Sequence, residues 1–211
     1  MRYLMLRSFF LTVMALQITL SAAELTPEDA LKRLLEGNKH FAADQLTCPE
    51  RNSERRAAIV SKQDPFAIIL GCADSRVPPE LVFDQGVGDL FIVRVAGNVV
   101  GPLEQNSIDY SVATHNPKVI LVLGHENCGA VEAVLKGKAK GFEPLLTLIE
   151  PAVQEARKLK DHQLEQAIKI NVKRMVDYLK STPLIAKQLA DKKLIVVGGY
   201  YELNSGEVKI L

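Results

Sequence analysis

The sequence predicts an α/β protein whose sheet is largely parallel and covered by helices on both faces. Three observations predict it. Short apolar runs rich in β-branched residues recur at Phe66 to Leu70, Phe91 to Val95, Val119 to Leu123 and Leu194 to Val197. Each ends at a polar or glycine-rich turn, as strands buried on both faces do. Helical stretches lie between them, roughly Leu103 to Thr114, Ala130 to Leu135 and Gln163 to Leu179, so strand and helix alternate. The composition is ordinary for a globular chain, with 211 residues, 47% hydrophobic and 24% charged, enough for one full core.

The chain opens with Arg2 and Arg7 ahead of an apolar stretch, Phe9 to Leu20, and the small triplet Ser21-Ala22-Ala23. This is the pattern of a cleaved secretory signal over residues 1–23, leaving one domain over 24–211. The apolar stretch is interrupted by Gln17 and falls short of the ~20 residues a membrane anchor needs. Export to a periplasm or the exterior is the expectation, with no membrane attachment after cleavage. Thr26-Pro27-Glu28-Asp29 then starts a helix: Thr caps free N–H groups, Pro fits the first turn, and the acids suit the positive end of the dipole. Ala30, Leu31, Leu34 and Leu35 give it an apolar face, and Gly37-Asn38 is expected to end it. Cys48 to Arg56 is a polar surface loop leading into a second helix, Lys136 to Lys140 is a solvated loop, and Val208 to Leu211 offers a closing strand.

Formal net charge is +1, and aromatic residues are 6% with no Trp. That balance excludes a basic nucleic-acid binder and a stacking platform for single strands. Three cysteines, Cys48, Cys72 and Cys128, are an odd number for an oxidising compartment. A metal would protect two of them by holding thiolates.

Two strand ends carry the chemistry. One run ends in Gly71-Cys72-Ala73-Asp74-Ser75-Arg76, the other in Gly124-His125-Glu126-Asn127-Cys128-Gly129. In open parallel sheets the carboxyl ends of strands border the ligand crevice, so both clusters should open on the same space. Two thiolates and one imidazole make a catalytic type of zinc set, with three protein ligands and a fourth position open. Asp74 and Arg76 form a pair that elsewhere would be an ordinary salt bridge. Beside a metal, Arg76 can hold Asp74 ionised and oriented, and Asp74 can accept a proton from a metal-bound water or itself take the fourth position in a closed state.

In these residues the sequence resembles the β-class carbonic anhydrases. The likeness lies in Cys72-x-Asp74-Ser75-Arg76, in His125-x-x-Cys128-Gly129, and in the segment from Phe83-Asp84-Gln85-Gly86 through Gly88-Asp89-Leu90-Phe91 to Arg94-x-Ala96-Gly97-Asn98. It runs from about Thr26 to Leu211, including Gly198-x-x-Tyr201-Glu202-x-x-Ser205-Gly206. The resemblance implies a mixed sheet of four parallel strands and an antiparallel fifth, with an N-terminal helical arm that embraces a partner in a homodimer, sometimes paired into a dimer of dimers. It implies reversible hydration of carbon dioxide to bicarbonate and a proton. Cys72, His125 and Cys128 would hold one Zn2+ per chain, Asp74 and Arg76 would be the catalytic dyad, and the backbone at Gly129 would orient bicarbonate. Arg94 and Tyr201 align with positions that in some members contribute to a noncatalytic bicarbonate site.

Two thiolates cancel the formal charge of the ion and leave a weaker Lewis acid than three neutral histidines would, so Asp74 should compensate as a hydrogen-bond acceptor. Neutral carbon dioxide needs apolar neighbours, and the candidates are Val77 and, from either subunit, Phe91 or Val95. Members regulated by bicarbonate carry a Trp three residues before the first cysteine; Ile69 stands there, which argues against that switch. Ala130 replaces a second glycine found in many members, a change of little consequence. His115 and His162 are expected to be surface or helix residues, His40 is kept as a proton-shuttle candidate, and Cys48 as a free or intermolecular thiol. Three other readings compete: a non-enzymatic zinc domain, a zinc lyase or hydrolase for a carbon dioxide analogue such as carbon disulfide, and a thiol oxidoreductase. The presence of both Asp74 and Arg76 disfavours the first, and the placement of the two cysteines on different strands disfavours the last.

Overall fold

The structure, a computed structural model, describes residues 24–211; the signal sequence expected over 1–23 lies outside them. Its elements in chain order are α1 (Pro27–Ala42), α2 (Ser53–Ala58), β1 (Ala67–Gly71), α3 (Pro79–Val82), β2 (Leu90–Arg94), α4 (Pro102–His115) and β3 (Val119–His125). They continue with α5 (Gly129–Leu135), α6 (Glu143–Ala156), α7 (Gln163–Ser181), α8 (Pro183–Ala190), β4 (Ile195–Tyr201) and β5 (Val208–Ile210). The five strands form one sheet in the order β2-β1-β3-β4-β5. The first four run parallel and β5 pairs antiparallel with β4.

Every residue of β1 and β3 is buried, which is why both read as unbroken apolar runs. Successive side chains nonetheless go to opposite faces. Ile68, Leu70, Ile120 and Val122 face a core closed by α4 to α8, through residues such as Ile108, Val131, Ile149, Val172 and Ile185. Ala67, Ile69, Val119, Leu121 and Leu123 face a second core closed by Ala30 and Leu34 of α1 and by Val82 and Phe83 at α3. The N-terminal arm is thus seated on its own sheet.

Thr26 caps α1 as its sequence demands, accepting from the Asp29 N–H at 3.1 Å. The helix does not stop at Gly37-Asn38; it continues to Ala42, a correction to the sequence reading. Both residues are buried packing positions. A Cβ on Gly37 would stand 1.8 Å from the Phe83 carbonyl oxygen. Asn38 donates to the carbonyls of Val82 and Gly206 and accepts from the Val208 N–H, tying α1 to the end of α3 and to β5. Glycine here serves close approach, not termination. Three helices went unread in the sequence: the single turn α3, the Pro-interrupted α6 with Pro151 inside it, and α8, which follows α7 after Thr182 alone.

Candidate metal centre

β1 and β3 are adjacent and parallel, with Gly71 opposite Leu123, so the chain leaves both strands on the same side of the sheet. Cys72 comes directly off β1. His125 is the last residue of β3, and Cys128 follows a short turn in which Asn127 takes φ 51° before α5 begins at Gly129. The ligand atoms of Cys72, His125 and Cys128 all lie within 4.8 Å of one another, and all three residues are buried.

The donor set fits a zinc ion on two counts. The sulfurs of Cys72 and Cys128 are 3.9 Å apart, close to the about 3.8 Å imposed when two thiolates sit at ~2.3 Å on a tetrahedral ion. The His125 Nδ1 lies 2.8 Å from the Glu126 carbonyl, an acceptor, so Nδ1 carries the proton and Nε2 presents its lone pair. That Nε2 is buried without a hydrogen-bond partner, a costly state unless it serves as a ligand. Hydrogen bonding between the two sulfurs lowers the Cys72 thiol, and the Gly97 N–H, which reaches the Cys72 sulfur at 3.3 Å, lowers it as well, against the upward push of burial. The same shared bond raises Cys128, and burial raises it further.

Beside this cluster Asp74 receives the Arg76 Nε at 2.9 Å on Oδ1, Nη2 at 2.7 Å on Oδ2, and the Arg76 backbone N–H at 2.9 Å. Hydrogen bonding from the Arg76 side chain holds the Asp74 carboxyl well below the usual carboxylate range, against the upward push of burial. Its Oδ2 lies 3.9 Å from His125 Nε2, on the edge of the cluster. Both oxygens are engaged by Arg76, so Asp74 is bonded to its own arginine at the margin of the donor set. Arg76 also reaches the Asn127 carbonyl at 3.3 Å, joining the two strand ends.

The other predicted residues fall in several places. Gly129 opens α5, where first-turn amides have no acceptor within the helix, and a Cβ there would meet nothing within 4 Å: the space beside it is open. Val77 is 1% exposed, packed into the core beneath α1. Phe91 and Val95 are partly buried against the other core, on or next to the edge strand β2. Phe91 stacks in a tilted cluster with Tyr110 and His115. Arg94 turns its guanidinium to the carbonyls of Cys72 and Asp74, at 2.9 and 2.6 Å. Tyr201 is buried opposite His125, its ring near Phe41. His40 is set 3.7 Å from Asp84 rather than beside the cluster, His162 caps α7 with φ 54°, and Cys48 is an exposed free thiol. Sequence reasoning gave no role to Gly97 or to the Glu126 carbonyl. Gly97 stood inside a quoted motif, but a backbone N–H aimed at sulfur leaves no mark in residue type.

A family model described as carbonic anhydrase matches residues 67–208. Carbonic anhydrase 2 of Mycobacterium tuberculosis is 36% identical over 187 residues, covering 85% of this chain and 90% of that protein. Among solved structures, the Coccomyxa β-carbonic anhydrase in complex with acetazolamide is similar at a TM-score of 0.67 and 28% identity, over 90% of this chain and 87% of that one. A structure from a study of two tetrameric β-carbonic anhydrases of Sordaria macrospora shares the fold at a TM-score of 0.67 and 24% identity, over 87% of this chain and 97% of that one. Fold and site together define a metal-dependent lyase of the α/β type. The chain belongs to the carbonic anhydrase family, in its β class.

Proposed function

We propose that this chain catalyses the reversible reaction CO2 + H2O ⇌ HCO3⁻ + H⁺, with one zinc ion per chain held by Cys72, His125 and Cys128. The observation that carries the reading is a buried, unpartnered His125 Nε2 within 4.8 Å of two sulfurs that are 3.9 Å apart, with an Arg76-fixed carboxylate at the edge of the cluster. Zinc bound there supplies Lewis acidity, which makes a water molecule easier to deprotonate near neutral pH. The chain's own residues do the rest. Asp74 Oδ2 accepts a hydrogen bond from the attacking water and orients its remaining lone pair toward carbon dioxide. Arg76 keeps that carboxylate ionised and fixed. The Gly129 N–H, beside open space, donates to a bicarbonate oxygen. Val77, Phe91 and Val95 are the apolar candidates for holding carbon dioxide.

The enzyme is exported by the leader over 1–23 and works as a homodimer able to pair into a dimer of dimers. Support for the dimer comes from α4, which exposes Leu103 and Tyr110 beside the open edge of β2, next to Phe91. Stopped-flow carbon dioxide hydration by the mature, zinc-loaded protein from about pH 6.5 to 9 tests the activity. Fast turnover that disappears in Cys72→Ser is the expected result, and no turnover with one zinc bound per chain overturns it in favour of a binding role or an analogue substrate. Sedimentation and N-terminal sequencing of the exported protein test assembly and cleavage.

A further inference from the structure

Asn171 stands on α7, remote in sequence from both strand ends, and is fully buried. Its Nδ2 donates to the Gly97 carbonyl at 2.8 Å, and its Oδ1 has no partner. Burying an amide with half its capacity unmet is unfavourable, so the side chain is kept there for what its donor does. The residue it holds, Gly97, is the one whose N–H reaches the Cys72 sulfur at 3.3 Å. Gly97 has φ 76°, and a Cβ there would meet Ile149 Cδ1 at 2.7 Å and Ala130 Cβ at 3.5 Å, so the turn requires glycine. Glycine is also the residue least able to hold its own backbone in one conformation. Without an external restraint on its carbonyl, the aim of its N–H would be lost.

We propose that Asn171 is a positioning residue for the metal centre: by fixing Gly97 it keeps an N–H on the Cys72 sulfur, and that hydrogen bond draws charge from the thiolate. This deepens the zinc reading of the site and rests on it. Two thiolates offset the charge of a divalent ion, so each hydrogen bond to sulfur restores part of its Lewis acidity.

The test uses the full mature protein loaded with Co2+, whose thiolate-to-cobalt absorption reports the electron density on sulfur. Asn171→Leu keeps the branched outline and removes the donor; Asn171→Ala, smaller, covers the case in which the bulkier variant does not fold. The expected result is absorption moved to lower energy in both, with kcat of the zinc form down about tenfold and KM unchanged. Absorption unmoved in a folded variant, with only thermal stability lowered, overturns the proposal and leaves Asn171 a packing residue. A wild-type protein showing no thiolate-to-cobalt absorption overturns instead the donor set on which the proposal stands.

Discussion

The molecule contains two sets of aspartate and arginine, and the same chemical pair does different work in each. Asp74 and Arg76 are two residues apart, on one turn off β1, and the carboxylate lies at the edge of two sulfurs and an unpartnered imidazole nitrogen. Asp84 and Asp89 lie in the segment between α3 and β2 and gather partners from far away in sequence. Asp84 accepts from the N–H and hydroxyl of Thr47, the N–H of Cys48 and the Arg51 guanidinium. Asp89 accepts from Arg33, Arg55 and the Gly86 N–H. These bonds use up both carboxylates in pinning α1, α2 and the loop between them to the sheet. What differs between the two sets is what lies on the carboxylate's other side: residues distant in the chain in one case, and a cluster of two sulfurs and an imidazole in the other.

The sharpest way to break the comparison is to remove charge at the pair beside the sulfurs. Asp74→Asn should retain zinc, measured by metal content, and lose carbon dioxide hydration by on the order of a hundredfold or more in stopped flow. Unchanged turnover would make Asp74 as structural as Asp84. The converse variant, Asp84→Ala, leaves the Arg51 charge and two backbone amides without their acceptor at a fully covered site. It should cost about 3 kcal/mol in urea unfolding while turnover per folded molecule is kept.

The acid limb of stability sharpens the same contrast. Burial alone would raise the Asp84 carboxyl, but the Thr47 and Cys48 hydrogen bonds and the Arg51 charge outweigh it and hold the group below its ordinary value. A depressed carboxyl adds stability that is present above the unfolded value near 4 and disappears as pH falls through the folded one. Asp84→Asn should therefore flatten the fall in Tm as pH drops below about 4. In the same structural region, Gly37→Ala forces a Cβ against the Phe83 carbonyl and should cost about 1 to 3 kcal/mol by thermal unfolding. The smallest effect is Thr26→Ala, which removes the α1 cap and should cost about 1 kcal/mol in urea.

Much of this was legible in the sequence because it follows from local rules. The strands announced themselves as β-branched runs, and α1 began where Thr26 and Pro27 said it would. Cys72, His125 and Cys128 could be paired because parallel strands deliver their carboxyl ends to one side. Gly37-Asn38 misled for a local reason as well: glycine before asparagine is stop chemistry, and only the approach of the Phe83 carbonyl reveals the other use of a missing side chain. The helix α6 was hidden by Pro151, which a propensity rule counts as a break and which the packed helix accommodates at an exposed position.

By itself, then, the sequence determined the alternation of strand and helix, the donor types at two strand ends and the carboxylate with its local arginine. These depend on periodicity, turn chemistry and neighbours a few residues apart. Tertiary structure alone decided the order β2-β1-β3-β4-β5, which puts β1 beside β3 and brings sulfurs from residues 56 apart to 3.9 Å. It also decided which carboxylates would be consumed by distant arginines and that an α7 asparagine would hold the glycine that touches Cys72. Such contacts come from packing whole elements against one another, and no interval along the chain encodes them.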